Sequence, residues 1–145
     1  MRNPGNKKFF GATMASAVLL LGGLAGCGNT ETSEALVVEA KQFIQKGDNK
    51  AAIIQLKNAL LKNPANVDAR LTIGALYNET GDPLSAEKEF RKAMELGAGP
   101  DKTTLGIARA LLAQREFQKV LDATEGASKG DDGGILNVRG DAYFG

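Results

Sequence analysis

The chain has no histidine and a single cysteine in 145 residues. Without histidine, a Ser-His-Asp triad, a Cys-His pair and any histidine-ligated metal cluster are excluded. One cysteine leaves no disulfide to support the fold, even in an oxidising compartment. There is no excess of one charge sign: 18 basic residues against 17 acidic give a net +1. That balance argues against a strong pull on nucleic acid. A phosphate-binding loop is missing too, because the glycines of residues 130–134 lack the following Lys-Ser/Thr and a preceding strand. Asp131 and Asp132, adjacent in that glycine-rich stretch, read as solvated acids rather than a calcium site. No enzymatic activity, cofactor or metal is expected.

What the chain does have is a repeat. KGDNKAAIIQLKNAL, residues 46–60, returns 34 residues later as TGDPLSAEKEFRKAM, residues 80–94. Gly47-Asp48 falls on Gly81-Asp82, Ala52 on Ala86, Leu56 on Phe90 and Ala59 on Ala93. Upstream, Ala40-x-x-Phe43 falls on Gly74-x-x-Tyr77. Each unit divides at its Gly-Asp. On both sides of it apolar residues recur three and four apart, so each unit is two amphipathic helices. Gly47 and Gly81 suit the left-handed residue after a helix, Asp48 and Asp82 suit caps, and Pro83 suits a first helical position. One such hairpin cannot bury its own apolar face, so neighbours must stack into a solenoid. The period and the ladder of small and large residues resemble the tetratricopeptide (TPR) repeat. The expected fold is all-α: a TPR solenoid of antiparallel helix pairs, with about three repeats and a truncated fourth.

The front of the chain is a separate object. Arg2, Lys7 and Lys8 form a basic head, and residues 9–26 are uncharged and rich in Ala, Leu and Val. Such a head and a run shorter than a comfortable membrane span read as a secretory signal. The run ends in Leu24-Ala25-Gly26-Cys27, which is similar to the bacterial lipobox. The resemblance implies cleavage before Cys27 and acylation of that cysteine, a palmitate-type anchor. Each buried methylene is worth about 0.8 kcal/mol, so several chains hold a protein firmly on a membrane. The alternatives are an ordinary cysteine or an uncleaved anchor helix. Gly28 follows where an inner-membrane retention signal would have Asp, so the resemblance favours the outer membrane. Removing residues 1–26 takes away bases only and leaves a slightly acidic remainder.

The expected organisation is a signal peptide at 1–26, a polar tether at 27–33 and a TPR array at 34–145. Its repeats fall at about 33–66, 67–100 and 101–132, with a partial fourth at 133–145. The third unit is weaker: Arg115 takes the place of the turn glycine, Val120 that of Ala86 and Thr124 that of Phe90. Residues 126–134 are expected to form a loop. Gly140-x-x-Tyr143 reopens the first-helix pattern. Ile135, Leu136, Val138, Tyr143 and Phe144 then make an apolar half-repeat, expected of the front of a longer protein or of a truncated gene. Glu87, Lys88, Glu89, Arg91 and Lys92 read as an exposed helix face, and Phe43, Tyr77, Phe90 and Tyr143 as core aromatics.

AAIIQLKNAL, GDPLSAEKEFRKAMELG and ARALLAQREFQKVL, behind a lipobox and short tether, resemble something narrower. They are similar to the N-terminal part of the TPR-repeat lipoproteins of bacterial exosortase (PEP-CTERM) and exopolysaccharide systems, the PrsT family. That resemblance implies a membrane-anchored, periplasm-facing scaffold for protein–protein interactions in surface-polymer export or sorting. The alternatives are an assembly lipoprotein for outer-membrane proteins or pili, and the accessory part of a longer enzyme. In TPR folds the first helix of each repeat lines the inner groove. By register that gives Val37, Lys41 and Ile44; Leu71, Ala75 and Asn78; and Leu105, Arg109 and Leu112. These residues either face a protein or peptide partner or pack between neighbouring helices.

Overall fold

A computed structural model describes residues 31–127 and 133–145. The signal segment, Cys27, the tether up to residue 30 and the Asp131-Asp132 pair lie outside the described residues. Those residues form seven α-helices and no strand: α1 (Ser33–Gln45), α2 (Asn49–Lys62), α3 (Val67–Thr80), α4 (Pro83–Glu95), α5 (Pro100–Ala113), α6 (Phe117–Ala123) and α7 (Gly133–Phe144). Each helix packs on the next through α6, α7 packs on both α5 and α6, and the odd-numbered helices also touch in the sequence α1, α3, α5, α7. Contacts confined to near neighbours make a TPR-like helical solenoid, with the odd-numbered helices side by side.

The corners explain why helices start and stop where they do. Asp48 and Asp82 accept the amides of Ala51 and Ser85 at 3.0 and 3.1 Å, capping α2 and α4. Hydrogen bonds from Ser85 hold the Asp82 carboxyl below its usual range. Gly47 and Gly81 have φ of 76° and 80°. The amides of Asp48, Asp82 and Glu116 donate to the carbonyls of Phe43, Tyr77 and Leu111, each at 2.9 Å. The same helix-end bond thus closes all three hairpins. In the third it closes over Arg115, whose φ is 62°. A side chain in that region costs about 1–2 kcal/mol, so the sequence departure at the turn becomes local strain.

Two apolar clusters hold the array. The first gathers Leu36, Ala40, Leu56, Ala59, Ile73 and Leu76 from α1–α3. The second gathers Phe90, Ile107, Leu111, Val120 and Val138 from α4–α7. Each fully buried Leu, Ile or Phe contributes roughly 1.5–3 kcal/mol. At one end of the first cluster Ser33 Oγ donates to Ala59 O at 3.0 Å, and Asn66 Nδ2 donates to Ser33 Oγ at 2.8 Å while its Oδ1 caps Ala69 N at 2.9 Å. These buried polar groups fasten the ends of α1 and α2 to the start of α3 and leave no lone donor behind.

Three expectations are corrected. Glu89 is not on an exposed face: it pairs with Arg70, each side chain only 14% exposed, and ties α4 to α3. The i,i+4 pair of Glu87 with Arg91 is present at 2.8 Å, but Glu87 also accepts from Gln114, at the end of the neighbouring α5, at 2.9 Å. Tyr143 is exposed rather than core, because it stands on the face of α7 turned away from α5 and α6. The loop expected at 126–134 gives way to helix at Gly133: α7 begins two residues early, as a helix whose apolar stripe packs on its neighbours.

Candidate functional site

A cleft of about 430 Å³ opens between α3 and α5. Leu71, Ala75, Asn78 and Glu79 line it from α3, and Asp101, Lys102, Leu105, Gly106, Arg109 and Ala113 from α5. Its floor is the ring of Phe90, reaching through from α4.

That floor exists because two neighbours lack a side chain. A Cβ on Gly74 would meet the Phe90 ring at 3.1 Å, and one on Gly106 would fall 2.5 Å from Phe90 Cε2. The ring is therefore held between α3 and α5, 5% exposed. Asn78 Nδ2 crosses the same junction to donate to Gly106 O at 2.9 Å. Asn78 thus spaces the two helices at the cleft.

The 34-residue register explains why the cleft lies here and not one junction earlier. Between α1 and α3, Lys41 Nζ bonds both carboxylate oxygens of Asp68, at 3.0 and 2.7 Å. One repeat on, Lys41 becomes Ala75 and Asp68 becomes Lys102. The bridging pair is replaced by a methyl and a lone cation, and the wall stands open. Among the described residues, neither Lys102 nor Arg109 has an ion-pair partner. They lie seven residues apart on α5, on one face. Glu79 and Asp101 bring the opposite sign to the rim. The site is therefore an apolar trough with charges of both signs at its edges.

The structure gathers Leu71, Ala75, Asn78, Leu105 and Arg109 in this cleft. Leu71 and Leu105 also pack against the second core, so for them lining and packing go together. Val37 is 2% exposed inside the first core and does not face the groove. Ile44 and Leu112 are partly buried against the first and second cores. Lys41 is exposed but held by Asp68. Sequence reasoning missed Phe90 as a floor, Gly106 as the space for it, and Glu79, Asp101, Lys102 and Ala113. The exchange of Asp68 for Lys102 in register was a visible signal; the role of Gly106 was not, since Thr72 holds that place one repeat earlier.

Among the described residues, no group of three or more His, Cys, Asp or Glu side chains could hold a metal ion. No described helix is long and apolar enough to cross a membrane. No protein-family model matches the chain. The chain is similar to the type IV pilus assembly protein PilF of Pseudomonas aeruginosa, 23% identical over 128 residues that take in 77% of this chain and 51% of PilF. It thus spans about half the length of that curated relative.

Proposed function

We propose that this chain is a non-catalytic, lipid-anchored scaffold of the bacterial envelope that grips a segment of a partner protein in the α3–α5 cleft. The observation that carries the reading is the cleft itself: a trough with an aromatic floor, preformed by Gly74 and Gly106 and lined by charges of both signs. Apolar floors give a peptide side chain somewhere to go, and rim charges set its register. Anchoring rests on the lipobox-like Leu24-Ala25-Gly26-Cys27. The outer membrane is the favoured side, on Gly28 after the cysteine.

Two assemblies compete for the role. Similarity to PilF favours assembly of pili or related envelope structures. The PrsT resemblance favours polymer export or PEP-CTERM sorting. A deletion strain separates them. Loss of piliation, restored by the native chain but not by Ala75→Trp, supports the first. A defect in exported polymer with normal pili turns the assignment to the second. Ala75 is exposed, so tryptophan there fills the cleft without entering the core. If Ala75→Trp restores the deletion strain fully, the cleft is not the working surface. For the anchor, palmitate labelling is expected in the native chain and absent in Cys27→Ala; equal labelling removes the lipid from the account.

A further inference from the structure

One row of α2 faces away from the array. Lys50, Ile54, Lys57 and Leu61 are spaced by four, three and four residues, so they stand in one line on the helix. All four are exposed, Ile54 at 58% and Leu61 at 80%. Lys62 flanks the row at the last turn, and α2 contains no acid. Among the described residues, none of the three lysines is in an ion pair. Lys57 lies near Asp82, but that carboxylate is engaged in capping α4. The acids of α1 have partners elsewhere: Glu34 lies by Asn66, and Glu39 accepts from Gln55.

The 34-residue register shows this row changing along the chain. On α4 it reads Leu84, Lys88, Arg91 and Glu95. There Arg91 is tied to Glu87 and Glu95 to Lys92. On α6 and the turn behind it, the row reads Gln118, Asp122 and Glu125. It thus runs from apolar and basic in the first repeat, through both signs in the second, to acidic in the third.

The path of the chain sets the basic end beside the lipobox cysteine. Ser33 Oγ donates to Ala59 O at 3.0 Å, so α1 starts against the last turn of α2, where Leu61 and Lys62 stand. Cys27 is six Cα steps before Ser33, a reach of at most about 20 Å.

We infer that the outer row of α2 lies on the phospholipid leaflet that holds the anchor. Ile54 and Leu61 enter the headgroup layer, and the three lysines meet anionic headgroups with their stems laid along the apolar boundary. An acidic protein partner would satisfy the lysines but not the nearness of Cys27. The acidic row of the third repeat is repelled by the same surface, so the array touches the membrane by its first repeat. The cleft lies on the side of the odd-numbered helices and stays open to a partner. This placement rests on acylation of Cys27.

The chain has no tryptophan, so Leu61→Trp gives a single reporter in the row. Glu95→Trp puts one at the same register on α4 and carries the same anchor. Both positions are exposed, so the fold is kept. The acylated chains are placed in phosphatidylethanolamine vesicles with and without phosphatidylglycerol. With phosphatidylglycerol, the Leu61→Trp emission shifts to the blue, and brominated lipid quenches it at least about threefold more than that of Glu95→Trp. Adding Lys50→Glu and Lys57→Glu to Leu61→Trp removes the shift, with native circular dichroism and the chain still sedimenting with the vesicles. Equal quenching of the two reporters in chains that carry palmitate and sediment overturns the membrane face and leaves the anchor standing. A shift that ignores both phosphatidylglycerol and the lysine changes overturns it as well. So does a shift that appears only when envelope proteins are added, which would give the row to a protein partner. A chain that carries no palmitate and does not sediment overturns the anchor and the face together.

Discussion

Ala40 and Leu56 in the first helix pair stand at the same register positions as Gly74 and Phe90 in the second. The first pair joins a methyl to a branched aliphatic and stays within its own core. The second removes the methyl and enlarges the partner, and the ring then reaches a third helix at Gly106. Volume is conserved locally in both, as close packing requires, but only the second exchange couples three helices. The cleft lies where that coupling occurs. A solenoid of near-identical repeats can thus place one binding trough by exchanging a few residues at one junction and keeping the backbone plan.

The two regions differ in how firmly their ends are fixed. Thr32, Asp48, Asn66 and Asp82 each cap a helix in the first two repeats, whereas α5 and α6 start without a side-chain cap. Behind α6, Arg139 Nη1 donates to the hydroxyl of buried Thr124 at 3.0 Å. The third repeat thus holds a short helix with a polar contact where the second uses the Phe90 ring.

This contrast can be broken most strongly at Gly106. Gly106→Ala is expected to cost about 2–3 kcal/mol in chemical denaturation, because the new methyl must displace a packed ring. Thr72→Ala, at the same register one repeat earlier, changes stability by well under half of that. Adding Phe90→Leu to Gly106→Ala makes room for the new methyl and recovers much of the loss, giving a measurable coupling in a double-mutant cycle. Additive losses would mean that the ring and the glycine are independent. A smaller effect, of the opposite sign, is expected at the third corner. Arg115→Gly relieves the positive φ and loses a cation–π contact with Phe117, where Arg115 Cζ sits 5.8 Å from the ring centroid. The net gain is about 0.5–1 kcal/mol, read as a rise in the denaturation midpoint. The subtlest difference is in pH response. Burial would raise the Glu87 carboxyl, but hydrogen bonds from Gln114 and Arg91 outweigh it and hold it below its usual range. Its contribution is therefore full above the unfolded value, roughly 4.3, and is lost as pH falls through the lower folded value. Glu87→Gln should flatten the loss of thermal stability between about pH 5 and 3. An unchanged slope would show that the pair adds nothing to the α4–α5 junction.

Much of the fold was legible because helices announce themselves locally. Gly47, Gly81, Asp48, Asp82 and Pro83 do in the structure what their chemistry allows within a few residues of themselves. Even Arg115 was found by its place in the 34-residue register. The cleft was only partly legible. Ala75, Asn78, Leu105 and Arg109 follow from helix phase, but Val37 sits in the same phase and is buried. Glu89 looked solvent-facing by composition and is tied to Arg70. A residue's phase says which way it points, but not how near the next helix comes.

Amino-acid order alone determined the period, the helix ends and the apolar stripes, since each depends on backbone preference and spacing over at most one turn or corner. Tertiary structure alone decided that Phe90 lies between two glycines on different helices and that the Lys41–Asp68 bridge between α1 and α3 has no counterpart where Ala75 and Lys102 face each other between α3 and α5. Those outcomes depend on distances between helices, and such distances are set by the summed packing of side chains far apart in the chain.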